Sequence, residues 1–167
     1  MTVKTEAPQS AEARRAAEAQ VTALVSEFAP AHKRLLAATR KHLRERLPTA
    51  HEVVYEYRDC FVISFAPNDL GFEGVFAIRA NADGVVLYFN RGKELPDPAK
   101  LLQGSGKQTR SINLEGASTL ARPEVARLMD EAIARNDVPY ARTGTGSVLI
   151  RPTAAQKRKK SEPKEPS

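Results

Sequence analysis

The residues best suited to chemistry lie between positions 90 and 110. Gly104 and Gly106 precede Lys107 in the segment GSGKQT, and Arg91, Lys93 and Arg110 flank it. Glycines let backbone N–H groups converge on an oxyanion, and a lysine at the loop tip adds charge. A small anionic ligand held by Arg91, Lys93, Gly104, Gly106, Lys107 and Arg110 is the binding reading. The segment is not a Walker A loop: Leu101 stands where the first glycine belongs, and Gln108 follows the lysine in place of Ser or Thr. A plain turn with solvated cations would have the same composition.

Other chemistry is sparse. His32, His42 and His51 do not share one helical face at i, i+4 spacing, and the acids are scattered apart from Glu52, Glu56 and Asp59, which read as a solvated strand edge or turn. Cys60 opens an apolar run and reads as a small buried hydrophobe. Neither Cys60 nor any serine has a base identifiable nearby in sequence, so a noncatalytic binding or accessory domain without a cofactor is expected. Lys157, Arg158, Lys159 and Lys160 form a basic run in a segment too polar to build a core, read as a disordered tail. Weak, salt-sensitive contact with nucleic acid is its functional reading; no aromatic residues interleave it to stack on bases.

The 167 residues and 41% hydrophobic content suit one domain with a genuine core. A lone cysteine fits a reducing compartment, and no run approaches the length of a membrane span, so a cytoplasmic protein without membrane contact is expected. The net charge is +6. Residues 151–167 hold six Lys or Arg against Glu162 and Glu165, so most of the surplus belongs to the tail.

Residues 9–28 are rich in helix formers, with Ser10 as N-cap, and Val21, Leu24, Val25 and Phe28 predict that the second half docks. Pro30 opens a second helix whose stripe is Ala31, Leu35, Leu36, Leu43 and Leu47. Strands are expected over CFVISFA, GVFAIRA, VVLYFN and TRSINLE, the middle pair forming a hairpin through Asn81–Gly84, with Val148–Ile150 as an edge strand. Alternation sends Tyr88 to the side opposite Leu87 and Phe89. A short helix over 97–103 with Asp97 as N-cap, and an amphipathic helix through Val125, Leu128, Met129, Ala132 and Ile133, complete the pattern. The fold class is α+β: an antiparallel sheet of four to five strands, N- and C-terminal helices on one face. The organisation is a helical extension (1–30), a domain (31–150) and the tail (151–167).

The stretch from His51 to Arg135 resembles the YdhG-like family, known chiefly as a domain of unknown function. The resemblance rests on Glu52, Val54, Tyr55 and Tyr57, on CFVISFAP, on GVVLYFNRGKELPDPAKLLQGSGKQTRSINL and on RPEVARLMDEAIAR. It implies a small intracellular α+β domain and no established reaction. Some relatives carry a frataxin-like or iron-chaperone label, which implies an iron role. Iron needs clustered hard oxygen ligands, whereas the helix at 31–47 carries Lys33, Arg34, Arg40, Lys41, Arg44 and Arg46 against Glu45 alone.

Overall fold

The computed structural model describes residues 8–152. The basic run at 157–160 and the expected disordered tail lie outside the described residues, apart from the first two positions of 151–167. Three helices and six strands follow in the order α1 (Ala11–Leu24), α2 (Pro30–Arg46), β1 (His51–Glu56), β2 (Phe61–Ala66), β3 (Phe76–Asn81), β4 (Gly84–Phe89), β5 (Arg110–Leu114), α3 (Pro123–Ala134) and β6 (Val148–Pro152). They form an α+β fold whose single sheet has the order β5-β4-β3-β2-β1-β6. Neighbours are antiparallel except β1 and β6, which run parallel.

Register explains the layers. Val54, Ile63, Ile78, Leu87 and Ile112 align across five strands, and Phe65, Phe76 and Phe89 align in the adjoining row. These side chains are buried against Leu36 and Leu43 of α2 and Val125, Leu128 and Met129 of α3. Because side chains alternate along a strand, Val62, Arg79, Val86 and Tyr88 point to the other face, where among the described residues no α-helix packs. Each buried aliphatic or aromatic side chain contributes about 1.5–3 kcal/mol, so the aligned rows, not the loops, hold the domain together.

Five features depart from the sequence expectations. A sixth strand, β1, occupies His51–Glu56, where the clustered acids suggested a strand edge or turn. Its Val53 and Val54 are fully buried, and Glu52 is only 2% exposed. β6 pairs in parallel, because the chain returns from α3 past Gly144, at φ 98°, before entering the sheet beside β1. The expected helix at 97–103 does not form: Lys100 has φ 54°, incompatible with a right-handed turn. Asp97 still accepts hydrogen bonds from the Leu101 and Leu102 N–H groups, at 2.9 and 2.8 Å. On α2 the stripe shifts: Ala31 is exposed and Thr39 is buried, its hydroxyl donating to the Leu35 carbonyl. Finally, α1 is held along its first half as well as its second. Ser10 caps it, Arg14 reaches the Gly146 carbonyl at 2.7 Å, and Ala17 and Val21 enter the core.

Candidate functional site

β4 and β5 pair so that Phe89 faces Arg110, which places the segment after β4 beside the one before β5. Lys93 N–H donates to the Gln108 carbonyl at 2.9 Å, so the two flanks of the glycine-rich loop meet. Gly92 lies so close to the Arg110 side chain that a Cβ there would approach the Arg110 Cβ to 2.5 Å. The Arg110 guanidinium donates to the Gly106 and Thr109 carbonyls at 2.7 and 2.8 Å, closing the loop from inside. Gly104 has φ 120°, a backbone setting that glycine reaches without strain. Lys93, Lys107 and both loop glycines are exposed. Arg91 is paired, with Asp137 at 2.7 Å and Glu94 at 2.9 Å.

Beside Arg91 a cavity of about 180 Å³ opens between the end of the sheet and the C-terminal end of α3. Val75, Phe89, Leu95, Ala132 and Val138 supply its apolar lining, and Arg91, Gln108 and Arg135 with the carboxylates Glu73, Glu94 and Asp137 supply its polar lining. Phe72, 76% exposed, stands at the rim. Half-buried Tyr140 braces the wall: its hydroxyl accepts from the Val75 N–H and donates to the Phe65 carbonyl. Burial pushes its pKa up to about 12, against the opposing pull of the Val75 N–H. Arg91, Lys107 and Arg110 were legible as candidates from sequence, but Phe72, Arg135 and Asp137 were not. Arg135 follows the last turn of α3 and Phe72 lies in the connection between β2 and β3, so neither stands out by spacing or charge pattern as a binding residue.

A second polar cluster was also missed. Arg40 and Arg44, one turn apart on α2, each contact both Glu18 of α1 and Glu52 of β1, at 2.7–3.1 Å. Burial would raise the Glu18 carboxyl, but hydrogen bonds and charge from Arg40 and Arg44 outweigh it and hold the pKa below the ordinary value. This cluster joins three elements, and its carboxylates and guanidinium groups are taken up by one another. Arg46 likewise turns to Asp130 of α3, leaving Lys33, Arg34 and Lys41 as the exposed cations of α2.

Among the described residues no three His, Cys, Asp or Glu side chains gather as a metal site. His51 Nδ1 accepts from the Ser147 N–H, and His42 Nε2 accepts from Arg46. Cys60 is half-buried just before β2 rather than within the core. Among the described residues no helix is long and apolar enough to cross a membrane. No protein-family model, curated protein or solved structure matches the chain.

Proposed function

We propose that this is a noncatalytic binding domain for a small organic anion, seated in the cavity beside the glycine-rich loop. The observation that carries the reading is the pairing of an apolar lining with an exchangeable cation. Arg91 is held by two exposed carboxylates, and exposed ion pairs are worth little net, so a ligand carboxylate or phosphate can take the place of Asp137 at small cost. The volume is close to that of a cavity which accepts benzene, ~150 Å³, and below the ~300–1,000 Å³ of drug-sized pockets. A single ring or short branched chain bearing one anionic group fits such a space. Phe72, 76% exposed at the rim, supplies an aromatic ring for the ligand. The glycine-rich loop contributes Gln108 to the wall and sets Lys93 and Lys107 nearby as a positive approach. The YdhG-like resemblance, which implies no reaction, is compatible with a binding role.

Thermal melting against small aromatic and aliphatic carboxylates, phosphates and sugar phosphates tests the reading. A true ligand at about 100 times its Kd adds roughly 2.7 kcal/mol and raises Tm by several degrees. Arg91→Ala should abolish that shift and Asp137→Ala should enlarge it, since the internal competitor is gone. A panel that leaves Tm unmoved in both the natural chain and Asp137→Ala would remove the proposal.

A further inference from the structure

The face of the sheet that no α-helix covers among the described residues has its own chemistry, and it shares with the approach to the cavity only the exposed Lys93 and Lys107. From its six strands this face receives Arg79 and Arg151 and no aspartate or glutamate. Part of it is closed: the connection between β2 and β3 folds over β1 and β2, where Ser64 donates to the Gly71 carbonyl and the Gly71 N–H donates to the Tyr55 hydroxyl. Arg151 is tied to Asp69 at 3.5 Å. The open part is therefore β3 to β5, with Arg79 and Asn113 exposed and Val86, Tyr88 and Ser111 half-buried. Tyr88 lies opposite Ala77, a side chain too small to cover its ring. Arg79, two positions along β3 and opposite Val86, shares this face with Tyr88 and is exposed; the Cys60 thiol and the Tyr88 hydroxyl raise its pKa. Where β4 leaves the sheet and β5 enters it, Lys93 and Lys107 are exposed, and among the described residues neither ammonium has a carboxylate partner.

We propose that this face binds single-stranded nucleic acid, with an unpaired base stacked on Tyr88 and backbone phosphates taken by Arg79, Lys93 and Lys107. Charge complementarity selects a polyanion: strands β3 to β5 supply Arg79 and neutral polar groups to the open part, Asp83 of the β3–β4 turn being the acid that lines the same hollow, and the chain beyond β6 adds Lys157, Arg158, Lys159 and Lys160. Geometry selects the single strand. The bases of a duplex are stacked internally and cannot reach a ring standing on a flat sheet, whereas unpaired bases can lie on it with little sequence preference.

The test uses the full chain and a labelled oligouridylate of about ten nucleotides, within the ~4–16 nucleotides that a small sheet domain covers, read by fluorescence anisotropy. Binding should be weaker to a duplex of the same length. Tyr88→Ala should weaken it roughly five- to a hundredfold, Tyr88→Phe should restore it, and Arg79→Gln should weaken it and flatten its salt dependence. Arg79 is exposed, so its replacement reads the surface even if Tyr88→Ala disturbs packing. Replacing Lys157, Arg158, Lys159 and Lys160 with alanine should lower affinity while leaving the Tyr88 dependence intact. Absent binding, or binding lost with those four residues and indifferent to Tyr88→Ala and Arg79→Gln, overturns the proposal. Tyr88-dependent self-association without nucleic acid would overturn it in favour of a second copy of the chain. The cavity plays no part in this experiment, so either reading can fail alone.

Discussion

The side-chain amide of Gln9 pairs with the backbone of Val148 as a neighbouring strand would, its Nε2 donating to the Val148 carbonyl at 2.8 Å and its Oε1 accepting from the Val148 N–H at 2.9 Å. β6 is an outer strand, and unpaired edge groups invite pairing with other chains. Gln9 occupies that edge at one end and Pro152, which has no N–H, ends the strand at the other.

Replacing Gln9 with alanine should therefore lower stability by about 1–2 kcal/mol and speed hydrogen exchange at the Val148 amide. Gln9→Glu should recover little, because a carboxylate cannot donate to the Val148 carbonyl. Unchanged exchange in both variants would mean that the edge is protected by something else.

Glu52→Ala leaves Arg40 sharing only Glu18 in a half-buried setting, and breaking such a cluster on one side costs roughly 3–5 kcal/mol. Denaturant unfolding should show a midpoint shift of that size. A smaller effect would indicate that water enters and solvates the two guanidinium groups.

Glu18 supplies an acid-side dependence. Against the raising effect of burial, hydrogen bonds and charge from Arg40 and Arg44 hold its folded pKa below the ordinary 4.5, so its contribution is complete above about pH 4.5 and is lost as pH falls through the lower folded value. Glu18→Gln should remove that part of the acid slope in stability while leaving the neutral plateau flatter and lower. An acid slope identical to that of the natural chain would contradict the assignment.

Tyr140 acts at the opposite limit. Its pKa is raised from 10.0 to about 12, so the stability it contributes is full below pH 10 and is lost as pH rises towards 12. Tyr140→Phe should abolish that alkaline loss, and at neutral pH it should cost about 1–3 kcal/mol by leaving the Phe65 carbonyl and Val75 N–H short of a partner.

Phe72 separates function from folding. Its ring is 76% exposed, so Phe72→Ser should change stability by less than about 0.5 kcal/mol. It should nonetheless reduce the thermal shift given by any ligand of the cavity. Gly146→Ala is the converse, because a Cβ there would stand 1.7 Å from the Ala50 carbonyl oxygen, and the chain should lose folded protein whatever the ligand.

The helix and strand boundaries were legible wherever local pattern and burial agree. Val125, Leu128 and Met129 announce α3 by their spacing, and the alternation in VVLYFN placed Tyr88 opposite Leu87 and Phe89, as β4 shows. Local pattern failed where distant groups override it. Glu52 reads as a solvent-facing acid until Arg40 and Arg44 arrive from α2 to neutralise it, and His51–Glu56 then becomes a buried strand. Asp97 and Pro98 promise a helix, but the carboxylate caps a turn whose Lys100 bends the other way. The candidate site divides along the same line. Arg91, Lys93, Lys107 and Arg110 could be picked out by charge and glycine content, which are properties of the chain alone. The roles differ by contact: Arg110 closes its own loop, Arg91 guards a cavity with Asp137, and Phe72 and Arg135 join that cavity from segments far apart in sequence. Composition and periodicity determined the α+β class and the side of the sheet that meets the helices, because burial of apolar rows is a local pattern repeated strand by strand. Only the tertiary structure decided the parallel return of β6, the pairing of buried charges and the shape of the cavity, because each depends on which distant groups meet once the chain has closed.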